Sequence, residues 1–404
     1  MKGAVRMSTK RRDSKGRILR NGESQRKDGR YAYKYVGLDG KNKFVYSWKL
    51  EPTDKMPKGK RADISLREKE KMIRRDIEDG INSSGGDMTV TELVEKYLKQ
   101  KVLLKYNSQT IYKYMVDILK ADEFGSYKIS KVKESDAKEW FIQLKQEGRG
   151  YASIELMKSI IGPAFSLAIK DDLLRHNPFD FKLSLTIKDD RIAKQALTKE
   201  QETSFLNFIK NDTYAKQFYD AVYILFHTGL RISEFAGLTI SDIDFNNGYI
   251  NIDHQLLCTR DGEKYISTAK TDTGKRRIPM SEEVKKCFER ILSQRETPIH
   301  EPVISDISNF IHLHKGVVWV RQNWYVRFVR MWKKYNEIHD EKIPKVTPHI
   351  CRHTFCTNLI RSGLNPKKLQ YLMGHSNIIT TLNIYAHIES EDLKDEYGTI
   401  DFAA

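Results

Sequence analysis

The hydrophobic period of this chain changes along its length, so no single regular architecture accommodates all of it. Between Gly29 and Leu50 the pattern alternates. Tyr31, Tyr33 and Tyr35 share one side of a strand, with Arg30, Ala32, Lys34 and Val36 on the other. After Leu38-Asp39-Gly40, Phe44, Tyr46, Trp48 and Leu50 alternate with Lys43, Val45, Ser47 and Lys49. A period of two around a glycine turn predicts a hairpin. From about Leu66 the period becomes helical, opened by a capping box of Ser65 and Glu68, with Met72, Ile73 and Ile77 placed to cover the aromatic face. Ser83-Ser84-Gly85-Gly86 then interrupts the pattern as a linker does.

Residues 88–181 carry only helical signals. Thr89 and Glu92 form a second capping box before Leu93, Tyr97 and Leu98. Helices are expected at 108–120, 135–147 and 153–172, with Asn177-Pro178 closing the last. Four short helices make a small bundle. Residues 182–196 lack a long period and read as a crossing linker. From residue 197 the signals mix. Thr198 and Gln201 cap a helix, and another covers 214–228. Strands are expected at Tyr249–Leu257, Lys264–Lys270 and Arg276–Met280, the last two joined by the turn Thr271–Gly274. Helices follow at 282–294, 323–338, 348–362, 366–373 and 378–387. Thr347 before Pro348, with Gly363 beyond the end, marks one of these clearly, and Asn365-Pro366 repeats the opening signal.

Charge separates the same segments. The 404 residues carry +16, and residues 1–80 hold 24 Lys/Arg against 12 Asp/Glu. The remaining 324 residues carry +4. A basic module of this kind fits a polyanion such as nucleic acid. Lys34, Lys43 and Lys49, read as lying opposite the three tyrosines, are the DNA-binding candidates, since a sheet face can enter the major groove. No apolar run approaches the ~18 residues of a membrane span, and the basic N-terminus lacks the apolar core of a signal peptide. A reducing cytosol is the expected location. The four cysteines form no CxxC pair, so neither a zinc ribbon nor a disulfide scaffold is indicated. There is no HExxH and no phosphate-binding Gly-Lys-Ser/Thr. No metal and no cofactor are expected.

The second half offers a set of side chains suited to a phosphodiester. His349 and Arg352 are three residues apart on one helix face, near an N-terminal end that favours anions. Arg231 stands in Thr228-Gly229-Leu230-Arg231-Ile232-Ser233-Glu234, at a turn between helices. Lys270 sits at the tip of a strand pair. His375 follows Leu372-Met373-Gly374, and Tyr385 lies ten residues further on. Two arginines grip phosphate oxygens with fork geometry. A tyrosine can form a covalent intermediate, a lysine can protonate a leaving alkoxide, and imidazoles can donate to phosphate or move the tyrosine proton.

The order and spacing of these blocks over roughly 200 residues resemble the tyrosine recombinase family. The match places Arg231, Lys270, His349, Arg352 and His375 around the scissile phosphate, with Tyr385 as nucleophile. Ile350-Cys351 departs slightly, where family members often carry a leucine before the arginine. Gly29–Leu50 with its helix resembles the arm-binding domain of integrases from Gram-positive conjugative transposons, and 88–181 resembles their core-binding domain.

The resemblance implies a multidomain fold. A three-stranded β-sheet plus helix forms an arm-type DNA-binding domain (1–84), followed by an all-α core-binding domain (87–181). A linker (182–196) leads to an α+β catalytic domain with a C-terminal tail (197–404). It also implies strand cleavage through a 3′-phosphotyrosyl link, for excision and integration of a conjugative transposon. Double-stranded DNA at core and arm sites, a homotetramer on that DNA and an accessory factor for excision are the expected partners. A type IB topoisomerase and a non-catalytic DNA-binding protein of the same fold are the alternatives. The six-residue set argues against a pure binder, and the basic N-terminal module argues against a topoisomerase. The acidic and apolar tail, residues 388–404, suits a groove on a neighbouring protomer.

Overall fold

In the computed structural model the described residues are 10–38, 40–79, 87–101, 106–191, 195–268, 274–295 and 297–385. The chain forms two compact units, Met1–Ile192 and Ala193–Ala404.

The first unit opens with a three-stranded antiparallel sheet, β1 (Glu23–Gln25), β2 (Tyr31–Val36) and β3 (Asn42–Ser47). Helix α1 (Leu66–Glu78) starts at the capping box, where the Ser65 hydroxyl accepts from the Glu68 N–H and the Glu68 carboxylate accepts from the Ser65 N–H. Tyr31, Tyr33, Leu50 and Leu66 form the small core, joined by Val45 and Ile73. Met72 points to solvent instead of covering the sheet.

The strand register corrects the expected facing of the three lysines. Lys34 lies opposite Phe44, and Tyr35 lies opposite Lys43. Directly opposed residues share a face, so Lys34 stands with exposed Phe44 and Tyr46, whereas Lys43 shares the helix side with Tyr35 and Val45. Lys49 lies beyond the end of β3, after the strand has bent. The outer face is aromatic and cationic: Arg26 and Arg30 lie over Tyr46, and Arg30 and Lys60 over Trp48.

A helical bundle follows, of α2 (Val90–Lys99), α3 (Tyr106–Ala121), α4 (Glu134–Gln146) and α5 (Tyr151–Lys170). Its core stacks Phe124 on Trp140, with Phe141, Phe165 and Phe179 behind. Contrary to expectation, α5 is long and apolar enough to cross a membrane. Here its buried residues, Ile154, Ile161 and Phe165 among them, pack into the bundle core.

The second unit carries α6 (Lys199–Asn211), α7 (Tyr219–Thr228) and α8 (Ile232–Gly237), then strands β4 (Ile243–Asp244), β5 (Tyr249–Ile252), β6 (His254–Cys258), β7 (Lys264–Thr268) and β8 (Arg276–Pro279). The single strand expected at 249–257 is broken at Asp253. Its halves join different sheets, β4-β5-β8 and β6-β7. Strands β7 and β8 are therefore not a pair. Helix α9 (Glu282–Ser293), the short pair β9 (Leu313–His314) and β10 (Val317–Val318), and helices α10 (Arg321–Ile338), α11 (Pro348–Arg361) and α12 (Pro366–Met373) complete it, with α13 over 378–385. The core runs from Phe205 through Leu225, Phe235 and Phe288 to Trp324 and Phe328. Lys270 and the tail 388–404 lie outside the described residues.

Candidate active site

Four helix ends build the site. Helix α7 stops at Gly229, whose φ of 63° is the left-handed conformation that glycine takes without strain. A Cβ there would meet the Phe355 ring at 2.5 Å. Arg231 then caps α8, where its N–H donates to Glu234 Oε2 at 2.8 Å. Helix α11 opens as its sequence dictates, with Thr347 accepting from the Ile350 N–H and Pro348 in the first turn. Helix α12 ends at Gly374, also left-handed at φ 58°, where a Cβ would meet Arg276 at 2.9 Å.

Main-chain carbonyls at these ends hold both arginines. Arg352 is 5% exposed and donates to the carbonyls of Gly229 and Met373. Arg231, more open, donates to Gly374 O at 2.8 Å and to Glu234 Oε1 at 2.7 Å. Orphan carbonyls at helix C-termini are natural acceptors for cations. Burial, followed by the charge of Arg231, draws Arg352 down to about 9.

Arg276 and Glu234 escaped the sequence reading as site residues. Arg276 is fully buried and forks onto Glu234 at 3.0 and 2.8 Å, with its Nε on Leu372 O at 2.8 Å. Burial alone would raise the Glu234 carboxyl, but the Arg276 bonds and charge outweigh it and hold the group at about 2. The alternation of β8 contains the missed signal. Arg276 falls on the inward side with Ile278, and a buried guanidinium needs a carboxylate.

His349, Arg352, His353 and His375 line one cavity of about 740 Å³, together with Cys356, Thr357 and Thr380. Burial first, then the charges of Arg352, Arg231 and Arg276, pulls His375 down to about 4, so it is neutral at pH 7. Its Nδ1 faces the Thr381 hydroxyl at 3.0 Å. Tyr385 is placed elsewhere. It packs against the cluster of Cys356, Ile360, Leu369 and Met373, and its hydroxyl donates to the Leu364 carbonyl. The structure thus brings Arg231, Arg352, His349 and His375 together, but it leaves the phenol turned onto the loop between α11 and α12. Cys351 is buried and its thiol is pushed up by burial, which leaves it inert.

Asp242, Asp253 and His254 place ligand atoms within 4.8 Å of one another. Both His254 nitrogens already face acceptors, however: Asp253 Oδ1 at 2.6 Å and Gly237 O at 2.7 Å. Burial opposes its proton, but these two partners win and raise the imidazole. Both ring nitrogens are thus already engaged by oxygens of the protein itself.

A cluster of arginines and histidines at helix ends, with a tyrosine one helix away, defines an enzyme that works on phosphodiesters. The chain belongs to the phage integrase family, whose profile matches residues 195–392, and it is a tyrosine-type site-specific DNA recombinase. A second profile, the DNA binding domain of tn916 integrase, matches residues 7–77. The transposase from transposon Tn916 of Enterococcus faecalis is 48% identical over 383 residues, covering 94% of each chain. The Tn1545 transposase of Streptococcus pneumoniae is 49% identical over the same share. The solved structure of the Tn1549 transposon integrase with transposon right end DNA is 43% identical, with a TM-score of 0.71, and covers 76% of this chain and 100% of that one. Lambda integrase bound to a core site shares the fold, at 16% identity and a TM-score of 0.52 over 74% of this chain and 95% of that one.

Proposed function

We propose that the chain excises and integrates a conjugative transposon, with Arg231 and Arg352 gripping the scissile phosphate and Tyr385 attacking it. The observation that carries this reading is the convergence of the two guanidinium groups beside neutral His375. Tyr385 O forms the bond to phosphorus and the 5′-oxygen leaves, giving a 3′-phosphotyrosyl link. His375, with His349 nearby, takes the phenol proton, and Lys270 supplies one to the leaving oxygen. The free 5′-hydroxyl of a partner strand then reverses the step, so bond energy is conserved without ATP or a metal ion. Arg276 and Glu234 are positioning residues that hold Arg231 and α12.

The modules divide the labour. Residues 1–84 bind arm sites, with Lys34 on the outer sheet face. Residues 87–181 clasp the core site, 182–196 pass along it, and 197–404 cleave. Solved relatives hold a transposon end or a circular intermediate, and those two DNA forms are the substrates that excision and integration require. Four active sites are needed for two duplexes, so the chain works as a homotetramer, with 388–404 docked on a neighbour and an accessory factor favouring excision. The setting is the bacterial cytoplasm, on the nucleoid.

The test is incubation with nicked core-site DNA. A denaturant-resistant protein–DNA adduct is expected, along with its loss in Tyr385→Phe. An adduct formed equally well by that variant would overturn the assignment. Lys270→Ala should be rescued by a 5′-phosphorothiolate, whose sulfur leaves without a proton.

A further inference from the structure

The bundle of the first unit carries a groove whose charge is opposite to that of the chain. About 700 Å³ in volume, it is bounded by α3, α4 and the turn between them. Six carboxylates line it: Asp117, Asp122, Glu123, Asp136, Glu139 and Glu147. Arg149 is the one cation among its lining residues, and it reaches the Tyr114 hydroxyl at the rim. Among the described residues, none of the six makes an ion pair within 4.0 Å. Asp122 and Asp136 are occupied as helix caps, accepting from the Phe124 and Lys133 N–H groups. Asp117, Glu139 and Glu147 do not cap a helix start.

A second observation is independent of charge. Trp140 lines the same groove, is 3% exposed, and its indole N–H has no acceptor among the described residues. A buried donor left unpaired is costly, and a carbonyl oxygen brought against it would offset that cost. Tyr114 and Tyr127, both half open, supply aromatic surface on which cations rest favourably.

We infer that this groove docks a lysine- or arginine-bearing segment of a second protein. DNA is excluded as occupant, because phosphates at one charge per ~1.7 Å would face six carboxylates. A second copy of this chain is a poor match. Its basic surplus lies in residues 1–80, the module assigned to arm DNA, and the other 324 residues carry only +4. A small basic protein bound beside the recombinase on the same DNA has the matching charge, and complementarity of this kind sets partner choice and on-rate.

The experiment needs no cleavage assay, so it stands apart from the active-site assignment. A fluorescein-labelled peptide of alternating arginine and glycine, eight residues long, is titrated into the full-length protein at low salt and followed by anisotropy. The combined variant Asp117→Asn, Glu139→Gln, Glu147→Gln is expected to weaken binding about tenfold, as the loss of a few exposed charge contacts implies. The charge-matched control Glu263→Gln, Glu282→Gln, Glu289→Gln should bind like the parent. Trp140→Phe, which keeps a ring and removes the donor, should also weaken it, and circular dichroism should show both groove variants folded. Equal loss in the control variant would overturn the proposal, as would unchanged peptide binding in the triple groove variant. So would a groove variant that changes self-association on DNA and leaves peptide binding intact, since the occupant would then be a second copy.

Discussion

The Tyr385 hydroxyl donates to the main-chain carbonyl of Leu364, so the proposed nucleophile rests on a backbone oxygen just beyond α11. Cleavage then requires that bond to be exchanged. Tyr385→Phe should keep core-site affinity within about twofold, because the ring supplies the packing, while single-turnover cleavage disappears. EDTA should leave the parent rate unchanged, and strong inhibition would point to a metal nuclease.

Arg231→Lys keeps the charge and loses the fork. Loss of one preorganised donor in comparable sites costs about 3–4 kcal/mol of transition-state stabilisation. Cleavage should therefore fall at least a hundredfold while binding changes little. A parallel fall in both would make Arg231 an ordinary phosphate contact.

Glu234→Gln breaks a buried ion pair and leaves Arg276 uncompensated, a loss of about 3–5 kcal/mol in urea unfolding of the second unit. Replacing both, with Glu234→Gln and Arg276→Met together, should recover much of that loss. The carboxyl sits at about 2 against an ordinary 4.5. Its stabilisation is thus fully present above pH 4.5 and is lost as pH falls towards 2.

His375 moves in the other direction. Its ordinary value of 6.5 is drawn down to about 4, so the unfolded chain takes up this proton first. The related stability is complete above pH 6.5 and declines towards pH 4. Imidazole resonances assigned by His375→Gln should titrate near 4. A midpoint near 6.5 would remove the neutral-base role.

Gly229→Ala places a methyl group at a φ of 63° and against the Phe355 ring. The strain and clash should cost roughly 1–3 kcal/mol, and the Gly229 carbonyl that receives Arg352 should shift. Cleavage is expected to fall more than the melting temperature implies, a gap that activity per folded molecule would measure.

Truncation to begin at Asp87 should abolish arm-site binding and spare core-site cleavage. The log–log salt slope of arm binding should be steep and should drop by about one on Lys34→Ala. Lys43→Ala, on the helix side of the sheet, should leave the slope nearly unchanged.

Much of this molecule was legible from local rules. Ser65, Thr89, Thr198 and Thr347 open the helices they were expected to open, because a capping hydroxyl is decided within four residues. The expected hairpin around residues 38–40 forms, but register and sheet membership are decided at a distance, and there the reading missed. Nothing near Asp253 announces that one apolar stretch will serve two sheets, and nothing in 42–47 alone sets Lys43 against Tyr35. Spacing paired His349 with Arg352, and the resemblance to the family pattern joined Arg231 and His375 to them. Arg276 looked like one more surface cation in Lys275-Arg276-Arg277, because its partner Glu234 lies 42 residues away.

The carbonyls of Gly229, Met373 and Gly374 act on Arg231 and Arg352 as resident competitors. Any anion that enters must outbid oxygens already in place, so its net gain is a difference between two sets of hydrogen bonds. Inorganic phosphate and free nucleotides, abundant in a cell, bring too few contacts to displace them. A duplex anchored along its length brings the rest of its binding energy to that exchange. These carbonyls therefore discriminate against small anions without any wall shaped to exclude them.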